Sequence, residues 1–166
     1  MTLKVRTVTI EDQEAVTAVE ASCFPAAEAA TRTAFEQRIK VFSENIFVAE
    51  IDGKIIGFIN GGVINETTID DKLYRDAGLH VPDGDYQTVF GLDVIPDYRN
   101  QGIAAQLMNH LIAVSRSAGR KGVILTCKEA LIHYYTKFGF ENSGESKSVH
   151  GGSKWYDMIL RIDIPK

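Results

Sequence analysis

Val94-Ile95-Pro96-Asp97-Tyr98-Arg99-Asn100-Gln101-Gly102-Ile103-Ala104-Ala105-Gln106-Leu107 joins an apolar strand to an amphipathic helix through an Arg-x-x-Gly-x-Ala turn. The first backbone N–H groups of a helix have no intrahelical acceptor, and the positive end of the helix dipole lies beside them. Such a turn forms an anion site, and small residues let a pyrophosphate approach it closely. Gly102 and Ala104 are those small residues here. The spacing differs from the Gly-x-x-x-x-Gly-Lys-Ser/Thr of a nucleotide P-loop and from the Gly-x-Gly-x-x-Gly of a dinucleotide fold.

Downstream of the turn, Ile103, Leu107 and Leu111 recur at four-residue steps with Ala104, Met108 and Ile112 beside them, so one helix face is core; Gly119 and Gly122 end the helix. Val123 to Cys127 then reads as a buried strand, and Glu129 to Lys137 as a short helix carrying Leu131, Tyr134, Tyr135 and Phe138, capped by Gly139. Strands over Phe140 to Val149 and Trp155 to Ile162, joined through His150-Gly151-Gly152, close the chain. Upstream, Gln87 to Ile95 is the strand that feeds the turn. Leu3 to Val8 alternates as a half-buried strand does. Thr9-Ile10-Glu11-Asp12 starts a helix with Val16, Val19 and Phe24 towards the core, and Pro25 interrupts it. A second helix follows from Thr31 to Phe42, then strands Ile46 to Glu50 and Lys54 to Val63 joined by Asp52-Gly53. Asn65 to Asp85 is long, polar and Asp-rich, with a short helix around Asp70 to Ala77; loops of this length are usually functional or mobile. The order strand, helix, helix, three strands, helix, strand, helix, two strands predicts an α/β (α+β) fold, a mixed sheet of about seven strands with helices on both faces.

At 166 residues, 45% hydrophobic and 24% charged, the chain suits one domain over residues 1–166. A formal net charge of −4 argues against nucleic acid as partner and mildly favours a cationic one. Cys23 and Cys127 are far apart without metal-type spacing, so they read as small hydrophobes in a reducing compartment, and no metal is expected. With no leader-like start and no run of about 18 apolar residues, a cytoplasmic protein without a membrane partner is expected.

The Arg99-to-Ala104 turn, placed after the fourth strand, resembles the coenzyme A signature of the GNAT superfamily of N-acetyltransferases, and the element order is similar over nearly the full chain. Tyr134-Tyr135-Thr136-Lys137-Phe138-Gly139-Phe140 resembles the tyrosine-bearing helix and Phe-Gly-Phe turn that follow the fifth strand in that family. Within the family the chain looks like the serotonin (arylalkylamine) N-acetyltransferase branch. The shared features are the run Glu129 to Tyr135, the long loop after the third strand, and the hairpin Gly-Gly-Ser-Lys-Trp-Tyr-Asp-Met. The resemblance implies a mostly antiparallel sheet and acetyl-CoA as cosubstrate. The activity implied is direct acetyl transfer to a primary amine, a small aralkyl or alkyl amine.

Carried onto this chain, the resemblance puts the pyrophosphate on the N–H groups of Arg99, Asn100, Gln101, Gly102, Ile103 and Ala104, and the pantetheine arm on the backbone of Leu92, Asp93 and Val94. Gly91 fits a bulge where a ligand approaches. Tyr135 matches the tyrosine that protonates the departing thiolate; Tyr134 is its rival, and helical spacing alone does not separate them. Phe24, Pro25, Glu28, the loop and Trp155 are placed at the acceptor pocket. Thr88 and Phe90 stand where the arylalkylamine enzymes carry two histidines, and neither can act as a base. Glu28, Asp85, Asp93 and His133 are the nominees in their place. Cys127 lacks a paired base and is disfavoured as a covalent relay. His80 and His110 are expected on the surface. The alternatives are a protein or peptide N-acetyltransferase and a coenzyme A-binding sensor without turnover; a homodimer is compatible with any of these.

Overall fold

The computed structural model describes residues 2–162. Its first strand, β1 (Leu3–Thr7), is followed by two helices, α1 (Gln13–Cys23) and α2 (Arg32–Phe42). Thr31 starts α2 as its N-cap, its hydroxyl accepting the Ala34 N–H at 3.2 Å. β2 (Ile46–Ile51) and β3 (Lys54–Asn60) form a hairpin over Asp52 and Gly53, both at positive φ (53° and 79°), the conformation a tight two-residue turn requires.

Among the described residues nine strand segments occur where seven strands were expected, because two of the expected strands break. Lys54 to Val63 divides at Gly61-Gly62 into β3 and β4 (Val63–Ile64), and Gln87 to Ile95 divides at Phe90 into β5 (Tyr86–Val89) and β6 (Gly91–Val94). The break has a local cause. At Gly61 a Cβ would stand 1.9 Å from the Thr88 carbonyl oxygen, so the two backbones meet closer than any side chain permits. The buried Gln87 side chain stitches the kink, its Nε2 donating to the carbonyls of Gly61 at 2.8 Å and Thr88 at 2.9 Å while its Oε1 accepts from Asn45 Nδ2.

The sheet therefore divides into two, ordered β1-β2-β3-β6 and β4-β5-β7-β9-β8, with β7 (Gly122–Cys127), β8 (Glu141–Glu145) and β9 (Tyr156–Arg161) completing the second. β5 pairs with β7 in parallel; the other pairings are antiparallel. β6 pairs with β3 and not with β7, so the sheets splay apart between β6 and β7, and that splay is the entrance to the site.

Helices cover both faces, as expected. α4 (Ile103–Ser117) buries Ile103, Leu107, Met108 and Leu111 against Phe47, Ala49, Ile56 and Ile59. On the other face α1 and α2 bury Val16, Val19, Phe35, Ile39 and Phe42 against Val48 and Phe58. Each of those fully buried large side chains contributes about 1.5–3 kcal/mol. The segment from Asn65 to Asp85 is packed: Ile69 and Leu73 are buried against Ile124 and Ile159, with a single helical turn, α3, over Lys72–Arg75. α5 (Ile132–Thr136) ends at Gly139, whose φ of 105° turns the chain into β8.

His80 departs from the surface position expected of it, and His110 is half-buried. The His80 side chain is 2% exposed and accepts the Val63 N–H through Nδ1 at 2.9 Å, and His110 packs edge-on to Phe47 at 4.5 Å. No helix among the described residues is long and apolar enough to cross a membrane.

Candidate active site

A cavity of about 400 Å³ opens where β6 and β7 part. Leu92 of β6 lines it, and the chain leaves β6 at Val94 for the turn into α4. Gly102, at φ 78° and ψ 8°, is the residue before the first helical turn, and Asn100 also adopts positive φ (62°). None of the N–H groups from Asn100 to Ala105 donates to another described residue; the helix ladder starts with the Gln106 N–H on the Gly102 carbonyl at 3.1 Å. A Cβ at Gly102 would meet no atom within 4 Å, so the space in front of these donors is open. A concave row of free N–H groups at a helix start fits the diphosphate of coenzyme A. Arg99 departs from its expected place in the cradle: its N–H donates to the Pro96 carbonyl at 3.2 Å and its Nε to the Val94 carbonyl at 2.9 Å; exposed Gln101 donates to the Asp97 carbonyl at 3.4 Å.

From the cradle, β6 runs inward with one edge unpaired by any strand. The Ile95 N–H bonds to the Ile56 carbonyl at 2.9 Å, which fixes the alternation along the antiparallel ladder. Asp93 is thereby committed to Phe58 on β3, and the backbone groups of Leu92 and Val94 face the splay. Asp93 thus departs from its expected backbone role beside the pantetheine arm. Its carboxyl is buried on the α1 side, with neither oxygen meeting a donor.

That carboxyl lies beside Glu20 of α1, also buried. Glu20 Oε2 accepts the Ala30 N–H at 2.8 Å, and Oε1 has no partner. Around Gly91, a Cβ would stand 3.1 Å from Asp93 Oδ1, 3.4 Å from Asn60 Nδ2 and 3.5 Å from Glu20 Oε1, which is why this position has none. Burial, and then the proximity of Glu20, raise the Asp93 carboxyl well above the usual carboxylate range. Arg38 of α2 is the neighbouring cation. It donates to Asn60 Oδ1 and to the Tyr74 carbonyl, both at 2.9 Å, and its guanidinium lies 4.9 Å from the Phe90 ring centroid. Glu20 and Arg38 were not singled out from the sequence, although each carried a signal. Glu20 is four residues past Val16, and Arg38 lies between Phe35 and Phe42, so both place a charge on the apolar stripe of their helix.

Tyr135 lines the cavity with Leu92, Leu125 and Cys127, and its hydroxyl bonds to no described residue. Burial raises its phenol above the ordinary value, as burial pushes the Cys127 thiol up to about 11. Tyr134 is not at the cavity; it packs on Phe138 at 5.4 Å, so the structure separates the two tyrosines.

Phe24, Glu28 and Trp155, expected in the acceptor pocket, do meet at the cavity, and Tyr74, Phe90 and His150 join them. Tyr74 stacks on His150 at 5.4 Å and hydrogen-bonds Thr126 through its hydroxyl. Trp155 Nε1 donates to the His150 carbonyl at 2.9 Å, and Lys128 pairs with Glu28 Oε2 at 2.9 Å beneath the indole. Pro25 is exposed and off the cavity wall. Its carbonyl accepts the N–H groups of Glu28 and Ala29, so it shapes the turn that carries Glu28. Of the nominees for a base, Asp85 pairs with Lys121 at 3.4 Å away from the cavity, and His133 is exposed. Thr88 is fully buried and donates to the Gly62 carbonyl. Among the described residues no group of three or more His, Cys, Asp or Glu is arranged to hold a metal ion.

Comparison with known proteins places these features in a common setting. The chain is 27% identical to the probable hydrolase YhcX of Bacillus subtilis over 142 residues, 80% of this chain and 27% of that protein. It is 29% identical to an uncharacterized N-acetyltransferase of Methanocaldococcus jannaschii over 131 residues, 77% of this chain and 50% of that protein. The chain thus spans half the length or less of these curated relatives. The GphF GNAT-like decarboxylase in complex with isobutyryl-CoA shares the fold, with a TM-score of 0.82, 21% identity, and 95% of this chain and 98% of that chain covered. The model of the acetyltransferase (GNAT) family matches residues 13–140, a stretch that holds the buried Glu20, the splayed strand, the N–H cradle and Tyr135, and the chain belongs to that family.

Proposed function

We propose that the protein transfers the acetyl group of acetyl-CoA directly to a primary amine, a small aralkyl or alkyl amine of the kind taken by the arylalkylamine branch. The observation that carries this reading is the cavity itself. Phe24, Tyr74, Phe90 and Trp155 supply aromatic wall, the carboxylates of Glu20 and Glu28 border it, and it reaches the free edge of β6 beside Tyr135. Its volume of about 400 Å³ suits a small ligand, and aromatic faces near carboxylates suit an ammonium ion on an apolar body. The packed 65–85 segment, which walls the cavity through Tyr74 and Ala77, favours a small amine over a peptide laid in an open groove.

When bound, acetyl-CoA supplies an activated acyl group on a thiol leaving group. The chain's own residues do the rest. The free N–H groups of Asn100 to Ala105 hold the diphosphate, and the Leu92 and Val94 backbone aligns the arm. An N–H on that edge can donate to the acetyl oxygen as charge develops, a contact worth about 3 kcal/mol in acyl-transfer sites. Tyr135, kept protonated by burial, has a free hydroxyl at the cavity with which to protonate the departing thiolate.

A thiol-release screen with acetyl-CoA against aralkyl, alkyl, polyamine and peptide amines tests the reading. Turnover is expected with aralkyl or alkyl amines. Release with peptides alone would move the assignment to protein acetylation. Coenzyme A binding without release from any amine would identify a sensor in place of an enzyme.

A further inference from the structure

The histidines of the arylalkylamine branch are replaced here by Thr88 and Phe90, and a different group must take the proton that the ammonium loses. We propose that Glu20 is that group, with Asp93 as a positioning residue that holds the pair's shared proton and keeps the Glu20 carboxylate turned to the cavity. The inference rests on the amine-acetylating reading of the same site.

Three observations carry it. Glu20 is 6% exposed, lines the cavity, and has one oxygen fixed by the Ala30 N–H while the other is without a partner. Asp93, 1% exposed, has two oxygens without a donor. Two ionised carboxylates packed together out of water repel each other, and neither can donate; one proton on Asp93 removes the repulsion and supplies the missing donor. Burial acts in the same direction on Asp93. Finally, the missing Cβ of Gly91 lets both carboxyls pack against the strand that borders the cavity.

The groups that face the pair give it a defined charge. Arg38 approaches from α2, and its positive charge favours one ionised carboxylate. Cys23 on α1, Tyr74 from α3 and Tyr135 from α5 are the other titratable neighbours of this cluster, and Asn60 on β3 contributes an unpartnered Nδ2. A single proton on Asp93 leaves the pair with one negative charge beside Arg38, with the unpartnered Glu20 oxygen on the cavity side.

The step then balances. A substrate N–H bond breaks and a Glu20 O–H bond forms, leaving the nitrogen lone pair free. That pair makes the new N–C bond as the thioester C–S bond breaks with its electrons on sulfur. The sulfur takes the Tyr135 proton, and Tyr135 regains one from the acylated nitrogen. One proton per turnover returns from Glu20 to solvent.

The test compares wild type, Glu20→Gln, Glu20→Asp and Asp93→Asn, with coenzyme A binding by calorimetry as the check that each is folded. Glu20→Gln is expected to lower kcat/KM for the amine by about 10²-fold or more, with coenzyme A affinity unchanged. Its residual rate should climb with pH as the free amine fraction grows, and Glu20→Asp should restore part of the loss. In infrared difference spectra at neutral pH, wild type should show the carbonyl stretch of one protonated carboxyl, lost in Asp93→Asn. A Glu20→Gln enzyme within threefold of wild type with the same pH profile overturns the inference, as does a wild-type spectrum without that band. Should wild type acetylate no amine while the band is present, the proposed reaction fails and the shared proton stands.

Discussion

Arg38 Nη1 lies 2.9 Å from Asn60 Oδ1, and both residues are less than 5% exposed, so α2 is tied to β3 by a hydrogen bond closed off from water. The same guanidinium is a charged neighbour of the Glu20 and Asp93 carboxyls. Arg38→Met keeps much of the volume and removes the charge, which leaves a buried carboxylate without its counter-ion. The expected loss is about 3 kcal/mol at pH 7. Asn60→Ala, which removes only a hydrogen-bond partner, should cost about 1–3 kcal/mol. In urea unfolding, Arg38→Met combined with Glu20→Gln should recover part of the Arg38→Met loss, because the uncompensated charge is gone. Strict additivity of the two would show that the groups are not coupled.

Asp93 gives the stability a characteristic pH dependence. Its folded carboxyl titrates well above the 3.8 it has in the unfolded chain. Below that value both states hold the proton and nothing is lost. As pH rises, the unfolded chain releases its proton while the folded one keeps it, so stability drains away until the folded carboxyl ionises. The slope is up to about 1.4 kcal/mol per pH unit over that window. Asp93→Asn abolishes this contribution, so the variant should gain on wild type as pH rises above about 4 in urea unfolding. Parallel stability curves would contradict the buried, neutral carboxyl.

What could be read without the structure divides along a physical line. The turn from Arg99 to Ala104, the start of α2 at Thr31, the Asp52-Gly53 hairpin and the Gly139 stop are local, set by backbone conformations that a few neighbouring residues decide, and each was legible. The breaks at Gly61 and Phe90 were not, because they depend on Gln87 reaching across to a carbonyl 26 residues away. The carboxyl pair joins Glu20 to Asp93, 73 positions apart, and no periodicity connects them. Pro25 shows the opposite error: a residue adjacent in sequence to the pocket proved to shape its turn without lining it.

Gly102 separates conformational strain from ligand access. At φ 78° any Cβ carries a penalty of about 1–2 kcal/mol, yet the protein places no atom within 4 Å of it. Gly102→Ala should therefore lower stability by that amount in thermal unfolding and weaken coenzyme A binding moderately. Gly102→Glu carries the same strain and adds a carboxylate in front of the Asn100-to-Ala105 donors. It should abolish coenzyme A binding in calorimetry while unfolding much like Gly102→Ala. Equal affinities for the two variants would remove the diphosphate from this cradle.

Tyr135 offers the cleanest separation of binding from chemistry. Its hydroxyl bonds to no described residue, so Tyr135→Phe removes no hydrogen bond among them and should leave both stability and coenzyme A affinity close to wild type. If the phenol protonates the leaving sulfur, kcat should fall about 10²-fold with little change in the KM for acetyl-CoA. The pH profile adds a second check. Burial holds the phenol above its ordinary value of 10.0, and a proton donor is present below its own titration point. Wild-type kcat should accordingly show no descending limb up to about pH 10. A limb well below that, or a Tyr135→Phe enzyme with unchanged kcat, would assign the acid to another group.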